Sequence, residues 1–446
     1  MFFEGKSEAE ARREILALVR EYCDAYHHTG GQCLPGERVP FSARVYDGEE
    51  MANLVDSALD FQLTSGRYTA RFEREFGAYL GVEYCTFVNS GSSACLLALM
   101  ALTSPTLGER ALRRGDEVIT VAAGFPTTVA PAVQYGAVPV FVDITLPQYN
   151  IDVAQLEAAL SPKTRAVMVA HTLGNPFDLA AVRDFCDKYD LWMIEDNCDA
   201  LGAEYTYRGK RYKTGAVGDI STSSFYPAHH ITTGEGGMVC TRQPELHRII
   251  RSMRDWGRDC VCPPGKDDTC GHRFEGQYGE LPAGYDHKYV YAHFGYNLKA
   301  TEMQAAIGCA QLQKLPDFVT RRRANFARLA EALAPARDRL ILPEPCPDSL
   351  PSWFGFPLTC GKGVSRAAVI AKLEAAGIQT RMLFAGNLTR HPCFDEMRRA
   401  QNGYRTVGDL PVTDRVMRDT FWVGVYPGMD DQTVDRVAGA ILCAIE

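Results

Sequence analysis

The chain has 446 residues, 46% of them apolar, so it can bury a large core and is neither fibrous nor disordered. Its formal net charge of -8 excludes a broad basic surface for nucleic acid, and a short basic run such as 321–323 is typical of a solvated helix face. No stretch approaches the ~20 apolar residues that a membrane-spanning helix needs, so we expect no membrane partner.

The opening residues and the cysteines indicate the compartment. Residues 2–13 lack the basic-then-apolar layout of a secretory signal, so we expect a cytoplasmic protein. In that compartment the 15 cysteines are expected to stay reduced. Most of them are predicted to be small buried apolar residues, and any tight group of them requires another explanation.

The first half of the chain predicts an α/β fold. Apolar residues recur at helical spacing over 8–28. Near-continuous apolar strands that alternate with helices predict a mostly parallel sheet covered on both faces. The predicted strands lie at 84–88, 117–121, 139–144, 166–170, 192–195 and 220–226.

The second half predicts an irregular insert and a smaller unit. After a predicted helix at 244–256, residues 257–297 are rich in glycine, proline, cysteine and histidine. Such a long irregular segment inside a compact enzyme is usually functional. A smaller C-terminal α/β domain is predicted from helices at 318–333 and 366–376 and a strand at 353–358.

Two motifs lie where an open α/β sheet binds ligands, beyond the carboxyl ends of its strands. Residues 90–94, Ser-Gly-Ser-Ser-Ala, join a predicted strand to a helix and could hold a phosphate, although ordinary turns have the same composition. Glu195 and Asp196 end another predicted strand. A carboxylate there can hold a proton on a pyridine nitrogen or cap a helix.

The run 223–237, Ser-Ser-Phe-Tyr-Pro-Ala-His-His-Ile-Thr-Thr-Gly-Glu-Gly-Gly, resembles the signature of the vitamin-B6-dependent sugar aminotransferases of the DegT/StrS family. The resemblance covers nearly the whole chain and extends to 90–94, 124–128, 195–196, 295–297 and 304–306. It implies the aspartate-aminotransferase-like fold (fold type I), with a mostly parallel seven-stranded sheet between helices and a smaller α/β C-terminal domain. The expected division is a helical arm at 1–60, a cofactor-binding domain at 61–315 containing the insert 257–297, and a small domain at 316–446.

His229 stands where members of this family carry the lysine that forms a Schiff base with pyridoxal phosphate. Without that lysine, the resemblance implies bound pyridoxamine 5′-phosphate. A histidine titrates near neutral pH and can still remove and return a proton, so His229 is the candidate base. His230 takes this role if the alignment shifts by one residue. The resemblance further implies that Asp196 keeps the pyridine nitrogen protonated, that Phe125 stacks on the ring, and that Gly91, Ser92, Ser93 and Ser224 bind the phosphate.

Cys260, Cys262 and Cys270 form the pattern Cys-x-Cys-x7-Cys inside the insert. Three thiols so close in sequence suggest a metal site, and their spacing alone does not distinguish zinc from iron–sulfur. Cys198, two residues past Asp196, is the candidate fourth ligand. Together with His229 and residues 254–259, this spacing resembles the iron–sulfur 3-dehydrases of the same family, which implies a [2Fe-2S] cluster on the four cysteines.

The resemblance implies removal of the C3 hydroxyl from a nucleotide-linked 4-keto-6-deoxyhexose, carried by CDP or TDP. The electron donor would be an NAD(P)H-dependent flavin iron–sulfur reductase or a ferredoxin. Asn297 would reach the cofactor phosphate of the neighbouring subunit, which implies a homodimer. Further candidate substrate contacts are Asp199, Tyr226 and Phe354. Arg381 and Arg390, which flank Asn387 in a C-terminal loop, could bind a diphosphate, although exposed arginines are usually only solvated.

Three alternatives remain open. A cluster-free 3-dehydratase of the GDP-4-keto-6-deoxymannose type also has histidine for lysine and recovers its amine from glutamate. A sugar aminotransferase needs the missing lysine. A non-catalytic partner subunit has no need of the phosphate turn, Asp196 and His229 that this chain keeps. The segment 204–214 is a few residues longer than the resemblance leads us to expect.

Overall fold

A computed structural model describes residues 3–27, 37–262 and 268–446. The α-helices of these residues are α1 (Glu8–Tyr26), α2 (Gly48–Asp60), α3 (Arg67–Leu80), α4 (Gly91–Ala101), α5 (Pro126–Tyr135), α6 (Leu156–Ala159), α7 (Leu179–Lys188), α8 (Pro244–Arg254), α9 (Glu302–Ala332), α10 (Arg366–Ala375), α11 (Asp395–Ala400), α12 (Pro411–Asp419) and α13 (Asp431–Ile445). The strands are β1 (Tyr84–Val88), β2 (Glu117–Val121), β3 (Val138–Val142), β4 (Thr164–Ala170), β5 (Trp192–Asp196), β6 (Glu204–Tyr207), β7 (Lys210–Lys213), β8 (Ile220–Ser224), β9 (Gly237–Thr241), β10 (Leu340–Ile341), β11 (Ser349–Leu350), β12 (Gly355–Cys360), β13 (Thr380–Met382), β14 (Arg405–Thr406) and β15 (Thr420–Gly424).

The largest sheet has eight strands in the order β1-β9-β8-β5-β4-β2-β3-β14. All neighbours from β8 to β14 are parallel, whereas β9 is antiparallel to both β1 and β8. Successive residues face opposite sides, as strand geometry requires. Val118 and Met168 therefore pack in a cluster with residues of α4 and α8, while Ile119 and Val167 pack in another with residues of α7. This double coverage explains why the strands are apolar along their whole length.

The predicted fold class is confirmed, with two differences in the sheet, one at the β14 edge and one at β9. Seven strands have five to seven residues, and the eighth, β14, is a two-residue strand that pairs with β3. Strand β9 was not predicted from the sequence. That strand directly follows a run of glycines and lies between two other strands, so no alternation of polar and apolar residues marks it.

The C-terminal part forms the smaller α/β unit. Its antiparallel sheet has the order β10-β12-β15-β13, and residues of α10 and α13 pack with it in one apolar cluster. Helix α9 begins at Glu302 rather than at 318, because Thr301 and Gln304 form a capping box there. Since α9 runs through the expected boundary at residue 315, the division into three domains stays a prediction.

The insert 257–297 is a loop whose two ends lie next to each other, and the segment 204–214 contains a β-hairpin. In the described residues of 257–297 there is one 3-10 turn, His287–Tyr289, and no strand or α-helix. Asp255 bridges Asn297 at the base of this insert. Strands β6 and β7 form a hairpin, to which β11 adds a third strand.

Among the helices described, none combines the length and apolar character needed to span a bilayer.

Candidate active site

A cavity of about 670 Å³ lies at the carboxyl ends of the parallel strands. The large domain supplies its floor, and Phe41 of the arm and Trp422 of β15 supply part of its wall. Residues predicted from the sequence that line it are Gly91, Ser92, Phe125, Asp196, Cys198, Asp199, Ser224, Tyr226, His229, Phe354 and Arg381.

The turn before α4 forms an anion cradle at one end of this cavity. Ser90 caps the helix, since its Oγ accepts the N–H of Ser93 at 3.0 Å. A β-carbon on Gly91 would lie 2.3 Å from the Cβ of Ser224, so only glycine lets the helix begin against the end of β8. Free N–H groups at a helix start and the hydroxyls of Ser92 and Ser224 suit a phosphate. The Ser93 hydroxyl instead hydrogen-bonds with Ser90 at 3.0 Å.

Asp196 is buried at the end of β5, where four groups contact its carboxylate, one of them Thr222 Oγ1 at 3.5 Å from Oδ1. Thr128 Oγ1 donates to Oδ2 at 2.7 Å. The Cys198 N–H donates to Oδ1 at 3.2 Å, and Cys95 Sγ lies 3.6 Å from Oδ2. Because Asp196 also lines the cavity, it offers a fixed acceptor to a ring nitrogen bound there.

Glu195 points to the other side of β5 and has a structural role. It accepts from His171 Nε2 at 3.1 Å and from the N–H groups of Gly215 and Val217 at 2.6 and 2.8 Å. Burial by itself would raise the pKa of Glu195, but these hydrogen bonds outweigh it and hold that pKa below its usual value. The Glu195 carboxylate thereby fixes the loop that leads into β8.

The structure brings His229 to the cavity and turns His230 away from it. His229 Nε2 lies 3.4 Å from Asp199 Oδ1, and its buried Nδ1 has no hydrogen-bond partner among the described residues. Burial raises the pKa of Asp199, although His229 opposes that shift. His230 is buried with Nε2 2.8 Å from the carbonyl oxygen of Ser352, and burial holds its pKa well below the usual value.

Residues 45–442 match the model of the DegT/DnrJ/EryC1/StrS aminotransferase family. The chain belongs to this family. It is 53% identical over 428 residues to the lipopolysaccharide biosynthesis protein RfbH of Salmonella typhimurium, covering 96% of each chain. It is 49% identical over 436 residues to the dTDP-4-dehydro-2,6-dideoxy-D-glucose 3-dehydratase of Saccharopolyspora spinosa, covering 97% of this chain and 92% of that one.

Solved structures of the family also resemble the chain. One is the E. coli GDP-4-keto-6-deoxy-D-mannose-3-dehydratase with bound hydrated PLP, which has a TM-score of 0.79 and 28% sequence identity. The match covers 90% of this chain and 98% of that chain. The shared fold agrees with the assignment to fold type I.

Three predicted cofactor and substrate residues are not among those that line the cavity of their own chain, namely Ser93, Arg390 and Asn297. Arg390 is exposed and its Nε donates to Asp414 at 2.7 Å, so it does not line the cavity. Asn297 is exposed and pairs with Asp255 at the base of the insert. Its expected place, beside the cofactor of a neighbouring subunit, stays a prediction of the family resemblance.

Three of the four predicted cluster cysteines lie together. Cys260, Cys262 and Cys270 line one small pocket in the described part of the insert. The Thr269 hydroxyl lowers the pKa of the Cys262 thiol to about 7. Cys198 is not among the residues of this pocket.

Cys198 lies instead in the wall of the large cavity, close to Asp196. The Sγ atoms of Cys198 and Cys95 and a carboxylate oxygen of Asp196 all lie within 4.8 Å of one another. Contact with Cys95, and then burial, raise the pKa of Cys198 well above its usual value. Among the described residues, Cys198 is therefore grouped with Asp196 rather than with the insert.

Several residues that line the cavity were not predicted from the sequence. Thr128 belongs to the family segment 124–128, but its bond to Asp196 has no local signal. Phe41, Phe384 and Trp422 come from the arm and the small domain, far from the motifs that mark the floor. Phe384 meets the ring of Phe125 edge-on, with ring centroids 6.1 Å apart.

Proposed function

We propose that the chain is a vitamin-B6-dependent 3-dehydratase, which removes the C3 hydroxyl of a nucleotide-linked 4-keto-6-deoxyhexose. The observation that carries this proposal is the presence of His229 in the cavity, at the position where aminotransferases of the family have lysine. The names of two compared proteins, both 3-dehydratases of 4-keto deoxysugars, support it.

The residues of the cavity fit pyridoxamine 5′-phosphate. The turn at Gly91 and Ser92 suits its phosphate, Asp196 suits its pyridine nitrogen, and Phe125 offers an exposed ring against the ring of the cofactor. When bound, the cofactor supplies an amine for the 4-keto group and a protonated ring that accepts electrons. Asn297, exposed on the surface, is proposed to complete this site in a homodimer.

The chain's own residues then move protons and exclude water. His229 removes a proton from the cofactor carbon that bears the amine and later returns it. Asp199, buried beside it, keeps the imidazole in place. Asp196 holds the proton on the ring nitrogen, while Phe354 and Tyr226 form walls that limit the access of water.

Replacement of the C3 hydroxyl by hydrogen consumes two electrons and two protons and releases one water molecule. The likeness to a 3-dehydratase of the GDP-4-keto-6-deoxymannose type supports the cluster-free version of the reaction. In that version glutamate supplies both electrons. It is oxidised to 2-oxoglutarate while its amino group restores the cofactor amine, and the nitrogen that the cofactor had carried to the sugar leaves C4 as ammonia. The overall reaction then needs no other reductant.

One observation favours a second version with a [2Fe-2S] cluster. Cys260, Cys262 and Cys270 converge on one pocket, as ligands of a shared metal group must. In this version an NAD(P)H-dependent flavin iron–sulfur reductase or a ferredoxin delivers the electrons one at a time. The location of Cys198 beside Asp196 is the weak point of this version.

The function is tested with anaerobically purified protein, pyridoxamine phosphate, CDP- or dTDP-linked 4-keto-6-deoxyglucose, and both electron sources, glutamate and the reductase system. We expect mass spectrometry to find a sugar that has lost one oxygen atom. His229→Asn should reduce this rate by about 10²–10⁴-fold, as the loss of a general base does. A product aminated at C4 by the unaltered protein would contradict the proposal and indicate an aminotransferase.

The electron source is tested by supplying glutamate alone or the reductase system alone. Turnover with glutamate alone, unchanged in Cys262→Ser, supports the cluster-free version. Turnover only with the reductase, lost in Cys262→Ser together with iron, supports the cluster. Cys393→Ser is the control, because Cys393 is exposed and lies outside the thiol pocket.

A further inference from the structure

The cavity carries almost no positive charge. Three carboxylates line it, those of Asp196, Asp199 and Glu235, and Arg381 is the one lysine or arginine among its described lining residues. The cofactor phosphate is provided for by uncharged groups at the start of α4. A second anionic group that enters the cavity therefore has one guanidinium to bind.

Arg381 is held so that much of its guanidinium stays available. Its Cζ lies 4.0 Å from the ring centroid of Phe41, so the ring covers one face of the cation. Its Nη1 donates to the Thr380 carbonyl at 2.8 Å. In the parts of the chain that the structure describes, Arg381 forms no ion pair with a carboxylate.

Phe41 is itself fixed by the small domain and by the cofactor-binding domain. Its backbone N–H donates to Gln379 Oε1 at 3.2 Å, and its ring meets Trp422 edge-on at 5.7 Å. The next residue, Ser42, donates to the carbonyl of Ala228 at 2.8 Å, directly before His229. The arm segment around Phe41 thus joins Arg381 to the reacting end of the cavity.

We propose that Arg381 binds the diphosphate of the nucleotide sugar and that Phe41 is the positioning residue that orients its guanidinium. This inference rests on the proposed function, because it takes the substrate to be a nucleoside diphosphate sugar. A stacked guanidinium keeps its N–H edges in one plane, which suits bidentate binding to phosphate oxygens. Arg390 has no part in it, since Asp414 occupies its guanidinium.

The test measures binding of CDP and dTDP to the cofactor-loaded protein by calorimetry. Arg381→Gln should raise both dissociation constants by about 10- to 100-fold, as loss of a charged hydrogen bond does. It should also reduce the salt dependence of binding. Arg390→Gln is the matched control and should change neither quantity.

Phe41 is tested by two variants, one that removes the aromatic ring and one that keeps it. Phe41→Leu removes the aromatic face and should weaken binding about 2- to 5-fold, whereas Phe41→Tyr keeps the ring and should restore it. Unchanged affinity in Arg381→Gln, or an equal loss in Arg390→Gln, would overturn the Arg381 assignment. Equal affinities of the Leu and Tyr variants would overturn the role of Phe41.

The outcome is separable from that of the proposed function. If the unaltered protein deoxygenates the sugar but Arg381→Gln binds CDP and dTDP normally, this inference fails and the function stands. If Arg381→Gln loses affinity but the unaltered protein deoxygenates no 4-keto sugar, the function fails and the diphosphate site stands.

Discussion

His229 differs from lysine in one respect that decides the chemistry, because its ring nitrogen forms no lasting bond with the aldehyde of pyridoxal phosphate. A lysine at this position regains that ability. We therefore expect His229→Lys, incubated with pyridoxal phosphate and reduced with borohydride, to gain the mass of the reduced cofactor in intact mass spectrometry.

His230→Lys provides the comparison for this experiment. Its side chain starts from a buried position against Ser352, outside the cavity, so no cofactor should be attached. Attachment to the His230 variant alone would show that the base is His230 and that the alignment is shifted by one residue.

The second prediction at this scale concerns Thr128, which donates to Asp196 at 2.7 Å. Thr128→Val removes the hydroxyl and leaves the shape, so Asp196 loses one of the groups that orient it. Hydrogen bonds to charged groups contribute about 1.5–3 kcal/mol, and we expect cofactor affinity to fall about tenfold or more. Thr128→Ser keeps the hydroxyl and should bind the cofactor normally in a fluorescence titration; equal losses in both variants would contradict this role.

At the scale of elements, the sequence predicted most of the cofactor-binding sheet. Its central strands are apolar runs bounded by turns, and their carboxyl ends mark residues that line the cavity, such as Asp196 and Gly91. The first half of α9 was missed for a physical reason. Protein surrounds it, as the buried Ala305, Ala306 and Cys309 indicate, so it has no polar face to produce a helical period.

A prediction at this scale concerns the start of α4. Gly91→Ala would place a methyl group 2.3 Å from Ser224 Cβ, which forces β8 and α4 apart and opens the phosphate cradle. We expect a fall in cofactor affinity and in the free energy of unfolding of about 1–3 kcal/mol. In contrast, Gly439→Ala in α13 meets no atom within 4 Å and should be stabilising by about 0.5–1 kcal/mol. Urea unfolding and cofactor titration measure both; a neutral Gly91→Ala would contradict the close approach.

At the scale of the whole molecule, the sequence could not predict which distant segments meet at the cavity. Phe41 of the arm, Phe384 and Trp422 join the site through long-range packing, for which a local pattern carries no information. The same holds for Arg390, which was predicted as a substrate contact from its place in a C-terminal loop and is instead bound by Asp414. Motifs thus predicted the floor of the site, and tertiary packing decided its walls.

The contact of α9 with α3 allows a prediction about the free energy of unfolding of the protein. Helix α3 has no side-chain cap of its own, and Glu302 of α9 accepts the N–H groups of Gly66 at 2.7 Å and Thr69 at 3.1 Å. Glu302→Ala would leave the buried N–H of Thr69 and the partly buried N–H of Gly66 unpaired and should lower the free energy of unfolding by about 3 kcal/mol. Glu331→Ala, exposed on the same helix, should change it by less than about 0.5 kcal/mol. Equal midpoints of urea unfolding for the two variants would argue against this cap.

The close approach of the arm to β15 limits how genes of this family can recombine. A β-carbon on Gly424 would lie 2.0 Å from the carbonyl oxygen of Phe41, so any other residue there would displace the arm. A crossover that joins the arm of one parent to the β15 of another keeps the cavity wall around Phe41 only if the second parent also has glycine at this position. The residue at position 424 therefore indicates whether the arm of one family member can be joined to the small domain of another in a chimeric deoxysugar enzyme.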